Sequence, residues 1–479
     1  MCKTRLSFIV LFSFFVNLAF CQSGNPTDYL STQFHKKRRD SFRAKMPANS
    51  VAVFFGNPVR NRANDVDYVY HQDPDFYYLT GYKEPNCVLM LFSNEQKDNE
   101  GKTYKEILYV QEKNASQEQW TGVRLGTEGA KKELGFSKAY NGSAFLKSGV
   151  DFTKFDHVLF KEFKDDNGES SRREKADLYK LIDSFKNQIG FKSTGTTKKQ
   201  NLDDSSISLY MTSLREIKTD EELKLLTKAV RISAMAQREV MKAMHAGMSE
   251  TEIQGIHEFI YKKYGSEFEG YPSIVGAGQN GCVLHYIENS KTKVGNELVL
   301  MDLGAEYHRY TADVTRTIPA NGSFSKEQKQ IYELVYQAQE AGIAASIVGA
   351  SFRSLDIIAR KIINQGLVKL GVAKSEELAN IYFPHGLGHH IGLDVHDPGM
   401  YNNLESAMVI TIEPGIYIPE GSDCDRKWWG IGIRIEDDIL ITAKGPINLS
   451  AEAPRKLQDI EEVMKEQSVF STFAVPLLD

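Results

Sequence analysis

The sequence predicts an α/β domain followed by an α+β domain, in which helices pack on a curved and mostly antiparallel sheet. The chain of 479 residues is long enough to form two hydrophobic cores. Short strand-like runs alternate with helical stretches up to about residue 200. After about residue 200, the chain begins with patterns typical of long helices, and apolar strand-like runs that end in acidic residues follow.

We expect the first domain between residues 28 and 195. Four apolar runs are typical of strands, at 51–55, 87–92, 107–110 and 157–160. Two stretches are typical of helices, at 127–134 and 175–188. Residues 193–207 are rich in Ser, Thr, Lys and Asp, and we expect them to form the linker to the second domain.

We expect the second domain between residues 215 and 465. Its first helices begin at capping signals, which are Thr219 with Glu222, Ser249 with Glu252, and Ser325 with Gln328. The third of these helices should run to about residue 348, and a further one covers 352–370. The strands between and after these helices carry the candidate functional residues, so we expect the chemistry in this domain.

The N-terminus is typical of a secretory signal peptide over residues 1–21. Lys3 and Arg5 precede an apolar stretch at 6–20, which is too short to span a bilayer comfortably. We therefore expect export to the periplasm or the cell exterior, without a membrane span. Lipid attachment at Cys21 is the alternative, and the bulky Phe20 before it disfavours this.

Composition narrows the class of protein. The net charge is -5 and no long basic block occurs, which disfavours a nucleic-acid partner. Beyond the signal peptide the cysteines are Cys87, Cys282 and Cys424, and their spacing fits neither a disulfide framework nor a thiolate metal site. One disulfide with one free thiol, or three free thiols, both remain open.

Four acidic residues and one histidine give the strongest functional signal. Asp302, Glu413 and Glu436 each follow a strand-like apolar run. A carboxylate at the end of a buried strand is costly unless something neutralises it. Two divalent cations would bring about four positive charges. These would cancel the negative charges of Asp302, Asp313, Glu413 and Glu436, and His389 would be a nitrogen ligand. An exposed hairpin or acidic turn is the alternative for any one of these residues.

Spacing places these candidates close together. Asp302 and Asp313 flank a turn-like stretch at 304–308, so two antiparallel strands joined there would bring them side by side. Arg434 lies two residues before Glu436 on the same strand face, where it could keep a carboxylate ionised. Oxygen donors with one imidazole favour Mn²⁺, with Zn²⁺, Co²⁺ and Fe²⁺ as alternatives.

Histidines cluster in the segment 385–396. The chain has 11 histidines, and four of them lie here: His385, His389, His390 and His396. Two histidines four residues apart would suggest a zinc pair on a helix. Glycines separate them, at Gly386 and Gly388, so we expect a turn or an irregular strand instead.

Together these motifs resemble the aminopeptidase P and prolidase group of pita-bread metallopeptidases. The matching segments are the two aspartates, HGLGH at 385–389, VHD at 395–397, EPGIY at 413–417 and GIRIEDD at 432–438. Upstream, 276–289 resembles the segment with a substrate-side histidine, and DFYYLTG at 75–81 resembles the N-terminal domain signature of aminopeptidase P. The resemblance covers roughly residues 35–465 and implies the pita-bread fold for the second domain.

The resemblance implies a role for each matched residue. The ligands of two divalent metals would be Asp302, Asp313, His389, Glu413 and Glu436, with Asp313 and Glu436 bridging both ions. Glu413 would also be the general base, and His285 and His396 would steady the tetrahedral intermediate. Supporting or substrate-binding roles would fall to Arg434, His385, Tyr417 and Asp397.

The implied activity is removal of the N-terminal residue from peptides with proline in second position, by a hydroxide that bridges the two metals. A prolidase, which cuts only Xaa-Pro dipeptides, is one alternative. A metal-free peptide-binding module on the same fold is the other. The resemblance also implies a homodimer or homotetramer, in which Trp120 and Arg124 either reach a neighbour's pocket or serve their own core.

Overall fold

The structure is a computed structural model that describes residues 26–147, 150–163, 175–191 and 201–472. The predicted signal peptide at residues 1–21 lies outside these ranges. Within them, no helix combines the length and the apolar character needed to cross a bilayer. Cys87, Cys282 and Cys424 are free thiols, which is one of the two states left open above.

A six-stranded sheet forms the centre of the first domain. The strands of this domain are β1 (Ser50–Phe55), β2 (Asn61–Ala63), β3 (Val66–Asp67), β4 (Val88–Lys97), β5 (Thr103–Val110), β6 (Ala139–Asn141), β7 (His157–Phe160) and β8 (Leu202–Asp203). The sheet has the order β6-β5-β4-β1-β7-β8, and β2 pairs with β3 separately. Strand β1 pairs antiparallel with β4 and parallel with β7. The four predicted strands are therefore the four central ones.

The first domain also contains helices, most of which bury part of their surface. They are α1 (Thr32–Lys45), α2 (Pro74–Thr80), α3 (Ala115–Thr121), α4 (Gly126–Lys132), α5 (Gly142–Phe145), α6 (Leu178–Ile189) and α7 (Ser206–Arg215). Helix α1 is not among the predicted helices, because its many basic residues mask a narrow buried stripe that includes Phe34 and Phe42. Ser31 caps this helix by accepting a hydrogen bond from the Phe34 amide.

Residues 193–200 of the linker predicted at 193–207 lie outside the described ranges, and its last part differs from the structure. Leu202 pairs with Val158 at the edge of the sheet, and α7 begins at Ser206. Helix α7 forms because Ile207, Met211 and Leu214 recur at helical spacing and are buried. The polar residues that suggested a linker include Asp203, whose carboxylate accepts hydrogen bonds from the first residues of α7.

The second domain combines long helices with short antiparallel strands. Its helices are α8 (Asp220–Ala243), α9 (Glu250–Lys263), α10 (Lys326–Ala345), α11 (Phe352–Lys369), α12 (Glu376–Ala379) and α13 (Leu457–Val463). Its strands are β9 (Phe268–Glu269), β10 (Ile274–Ala277), β11 (Leu298–Leu303), β12 (Ala305–Tyr307), β13 (Tyr310–Thr311), β14 (Val314–Pro319), β15 (Val409–Ile412), β16 (Gly415–Ile418), β17 (Ile431–Arg434), β18 (Asp437–Thr442) and β19 (Gly445–Asn448).

Every strand pairing in the second domain is antiparallel, which confirms the predicted class. The capping boxes predicted at Thr219 and Ser325 are both formed. Helix α10 ends at Ala345, slightly before the predicted end.

Two buried glutamines fix the long helices against the strand ends. Gln237 of α8 donates to the carbonyl oxygens of Met301 and Val314, at 3.0 and 2.8 Å. Gln339 of α10 donates to the carbonyl oxygens of Ile412 and Ile435, at 3.2 and 3.1 Å. Each of these four carbonyls belongs to a residue adjacent to a candidate ligand. Helices α8 and α10 therefore fix the positions of the backbone segments that carry the acidic side chains.

Candidate active site

One cavity of about 610 Å³ in the second domain collects the predicted site. Nine of the eleven residues predicted from the sequence line it: His285, Asp302, Asp313, His385, His389, His396, Glu413, Arg434 and Glu436. The other two, Tyr417 and Asp397, are buried behind its wall. The cavity thus joins side chains from segments that are far apart in sequence.

The two aspartates come together through the pairing of β11 with β14. Asp302 lies opposite Thr315, and Asp313 immediately precedes β14. Between them the chain forms the small strands β12 and β13 around a turn at His308 and Arg309, both with positive φ. The hairpin predicted from the spacing is therefore present.

Tyr271 joins the two aspartates. Its hydroxyl lies 2.7 Å from Oδ1 of Asp302 and 2.6 Å from Oδ1 of Asp313. One phenolic proton can satisfy only one of these oxygens, so the pair requires a further proton or a cation. Burial, followed by the charge of Asp302, raises the pKa of Asp313 well above its usual range. Burial opposes ionisation of Asp302 as well, but Arg434 brings its pKa below the usual value.

His389 is held in one orientation by an irregular segment, as the glycines predicted. Its Nδ1 lies 3.0 Å from the carbonyl oxygen of His390, and we assign the ring proton to this nitrogen because the carbonyl can only accept. Nε2 then carries a free lone pair. It faces Oδ2 of Asp313 at 3.4 Å and Oε1 of Glu413 at 3.7 Å. A histidine with one nitrogen fixed and the other exposed to carboxylates is typical of a metal ligand.

The two glutamates carry incompletely compensated charge. Oε2 of Glu436 accepts the Thr315 hydroxyl at 2.6 Å, while Oε1 is buried without a hydrogen-bond partner among the described residues. Burial and the neighbouring charge of Asp313 raise the pKa of Glu436 well above its usual range. Burial also raises the pKa of Glu413.

These observations fit a cation site. Asp313, His389 and Glu436 each offer a ligand atom, and these atoms lie within 4.8 Å of one another. Asp302 and Glu413 extend the same wall of the cavity. Three observations indicate uncompensated negative charge here. One carboxylate oxygen of Glu436 has no hydrogen-bond partner among the described residues, two aspartates share one tyrosine proton, and several carboxyl pKa values are raised. A divalent ion would neutralise this charge.

A chain of hydrogen bonds leads from Asp302 across the cavity wall. Arg434 donates through Nη2 to Asp302 at 2.5 Å and through Nη1 to the Tyr417 hydroxyl at 2.8 Å. That hydroxyl lies 2.9 Å from Nε2 of His385. Burial, with the charge of Arg434, lowers the pKa of His385 to about 4, so the neutral ring can accept the tyrosine proton. The chain holds these side chains in fixed orientations.

The remaining two histidines face the open part of the cavity. His396 is exposed, and its ring lies 4.3 Å from the ring of His389 at 74°. His285 is also exposed, on the segment that follows β10. Both imidazoles can therefore reach a molecule that enters the cavity.

Several residues that hold the site are not among those predicted from the sequence. Thr315 lies two residues after Asp313, and strand periodicity could have placed it on the same face. Tyr271 lies in the segment between β9 and β10, where no spacing rule relates it to the aspartates. Gln237 and Gln339 look like ordinary helix residues in the sequence, because only the packing of α8 and α10 gives their amides a role.

Comparison with known proteins agrees with this geometry. Residues 35–150 match the aminopeptidase P N-terminal domain, and residues 224–443 match metallopeptidase family M24. The chain is 33% identical to the Xaa-Pro aminopeptidase of Escherichia coli strain K12, over 91% of this chain and 98% of that one. The protein belongs to metallopeptidase family M24. The family that the motifs resemble is thereby confirmed.

Further relatives of this M24 peptidase are similar over most of their length. The Xaa-Pro aminopeptidase of Haemophilus influenzae is 34% identical, over 90% of this chain and 96% of that one. The solved structure of aminopeptidase P from E. coli with the inhibitor Pro-Leu superposes with a TM-score of 0.80, at 33% identity, covering 91% of this chain and 98% of that one. The predicted two-domain fold is confirmed.

Proposed function

We propose that this M24 peptidase removes the N-terminal residue from peptides that have proline in second position. The observation that carries the proposal is the cavity in which four carboxylates and one imidazole converge. It lies in a chain similar over nearly its whole length to Xaa-Pro aminopeptidases. Peptide hydrolysis is the chemistry that both features support.

Two divalent metals would be held by Asp302, Asp313, His389, Glu413 and Glu436, and the ligand atoms of Asp313, His389 and Glu436 lie within 4.8 Å of one another. Such a pair supplies a nucleophile at neutral pH and polarises a carbonyl group. Mn²⁺ is our preferred ion because oxygen donors dominate the set, with Zn²⁺, Co²⁺ and Fe²⁺ as alternatives.

The protein's own side chains would move the protons. Glu413 would take a proton from the attacking water and pass it to the leaving proline nitrogen. His285 and His396, both exposed to the cavity, would donate hydrogen bonds to the developing oxyanion. Arg434 and Tyr417 would keep Asp302 and His385 in place through the contacts described above.

Peptide length separates this activity from that of a prolidase. The cavity is open, and apolar residues Leu284 and Ile287 line it beyond the acidic wall. This surface offers contacts to residues that follow the proline. We therefore expect turnover of Xaa-Pro-Xaa tripeptides as well as Xaa-Pro dipeptides. Turnover of dipeptides alone would instead identify a prolidase.

The test of the proposed function is a Glu413→Gln variant assayed on a Mn²⁺-loaded enzyme with an Xaa-Pro-Xaa tripeptide. We expect loss of turnover with an unchanged thermal midpoint of unfolding. Glu377→Gln, an exposed glutamate on α12, is the matched control and should retain full turnover. Near-normal hydrolysis by Glu413→Gln would contradict the role of Glu413.

Metal analysis of the same preparations tests the cofactor. We expect two ions per chain after metal loading, and fewer than one ion per chain would favour a peptide-binding module. Turnover measured with each ion in turn ranks Mn²⁺ against the alternatives.

Export and assembly are separate proposals. We propose cleavage after residue 21 and a dimer or tetramer, which N-terminal sequencing of the secreted protein and light scattering would test. Trp120 is 83% exposed and so is available to a neighbouring subunit. Arg124 is 5% exposed and donates to the carbonyl oxygen of Glu112 at 2.7 Å, which favours the second of its two expected roles, in its own core.

A further inference from the structure

A buried ionic cluster joins the two domains directly behind the cavity wall. Arg215, at the end of α7, donates through Nη1 to Asp75 of the first domain at 2.7 Å. Through Nη2 it reaches Asp394 at 2.7 Å and Asp397 at 2.5 Å in the second domain. Lys218 adds a second cation on Asp397, at 3.0 Å. From the sequence, Asp397 is expected only to have a general supporting role, and Arg215 is not among the predicted residues.

The centre of this cluster is buried, whereas Asp394 at its edge is 44% exposed. The side chains of Arg215 and Asp75 are each 4% exposed, and those of Lys218 and Asp397 are each 1% exposed. Asp75 also pairs with Lys161 of the first domain. Charges this deep keep their positions because every cation faces carboxylates, and removing one partner leaves the others uncompensated.

Asp397 makes the hydrogen bonds that hold the loop around His396. Its carboxylate accepts the amide of Asp394 at 3.2 Å, and its own amide donates to the carbonyl oxygen of His390 at 2.9 Å. The neighbouring side chain, His396, points the other way, into the cavity. Within the described ranges no hydrogen bond holds the His396 ring itself. Its position therefore depends on the backbone that Asp397 anchors.

We infer that Arg215 is a positioning residue for His396, and that Asp75 of the DFYYLTG motif completes the anchor from the first domain. The inference rests on the proposed function, in which His396 steadies the oxyanion. The inference gives the first domain a part in catalysis. The carboxylate of Asp75 holds the guanidinium of Arg215, which in turn holds the loop at Asp397. This loop sets the position of the His396 imidazole. This path contains no candidate metal ligand, but it ends beside one: the His396 ring lies 4.3 Å from that of His389, and the His390 carbonyl that accepts the Asp397 amide also contacts Nδ1 of His389. Metal content is therefore measured for every variant.

Wild-type turnover of an Xaa-Pro-Xaa tripeptide is measured first, because its absence would reject the proposed function and not the positioning role. Arg215→Lys keeps the charge but loses the fork that reaches both domains, and we expect kcat to fall about tenfold with unchanged metal content. Asp75→Asn, which does not touch the loop, should lower kcat in the same direction. It also covers the case in which Arg215→Lys does not fold.

The decisive measurement is a double-mutant cycle with His396→Ala. If Arg215 acts through His396, Arg215→Lys should lower kcat less than about twofold once His396 is absent. Equal loss in both backgrounds would overturn the inference, as would a His396→Ala enzyme as fast as the wild type.

Arg39→Lys is the matched control. Arg39 is fully buried and paired with Glu106 at 3.0 Å within the first domain. This variant should lower the thermal midpoint and leave kcat unchanged. A comparable loss of kcat in Arg39→Lys would show a general effect of buried arginines and would also overturn the inference.

Discussion

The carbonyl oxygen of Thr411 lies only 1.9 Å from the point that a β-carbon on Gly388 would occupy. The same strand donates the Thr411 amide to the carbonyl oxygen of His389 at 2.8 Å. The loop therefore reaches the strand so closely that only a hydrogen atom fits at residue 388. The orientation of His389 depends on this approach.

Gly388→Ala should displace the loop and weaken metal binding. We expect the overpacked contact to cost about 1–3 kcal/mol of unfolding free energy and to move His389 away from the carboxylates. Gly386→Ala is the matched control in the same HGLGH segment, because a β-carbon there meets nothing within 4 Å. Metal titration by calorimetry and thermal unfolding of both variants check this. Equal metal affinity in the two variants would contradict the expectation.

Thr315→Val should weaken metal binding without unfolding the protein. The hydroxyl of Thr315 donates to Glu436 at 2.6 Å, so its loss leaves that carboxylate free to rotate. We expect metal affinity to fall about 10- to 100-fold, as for other supports of metal ligands. Thr317→Val lies on the same strand and removes two hydrogen bonds, both with the Arg434 backbone, so the metal affinity of this variant should stay near normal. Competition with a metal-sensitive dye provides the measurement.

Substitutions at Arg434 and Tyr417 should differ in their effect on metal affinity. Arg434→Lys loses the planar fork that holds Asp302 and Tyr417 together, so we expect weaker metal binding and slower turnover. Tyr417→Phe removes only the hydroxyl that contacts Arg434 and His385, so it should lower kcat with the metal affinity retained. Kinetics and metal titration of the two variants separate the effects. Equal metal affinities would argue against the role of Arg434 at Asp302.

His257 should make the protein sensitive to mild acid. Burial lowers its pKa from 6.5 to about 4, so the folded protein keeps the ring neutral while the unfolded chain binds a proton. This contribution to stability is complete above pH 6.5 and is lost as the pH falls towards 4. His257→Leu should remove that loss, which is at most about 3 kcal/mol.

Thermal midpoints measured between pH 7 and pH 4 test the role of His257. The exposed His245→Leu provides a control, which should follow the wild-type curve. A wild-type slope that persists in His257→Leu would place the acid sensitivity elsewhere in the protein.

The sequence predicts the parts of this protein that follow local rules. Asp302 and Asp313 were paired correctly because strand periodicity and a turn fix their geometry. The irregular backbone at His389 followed from its flanking glycines. Strand β8 was missed, because a two-residue edge strand forms only when a neighbour is present. Tyr271 and Arg215 were missed for the same reason, since their partners are distant in the sequence.

The acidic residues of the cavity lie on two sets of strands, and a different buried glutamine contacts each set. Gln237 serves the strands that bear the aspartates, and Gln339 serves those that bear the glutamates. Neither set of strands carries all the candidate ligands, and the last of these in the chain is Glu436. We therefore expect a chain that ends before Glu436 to lack activity, because it lacks one of the candidate ligands.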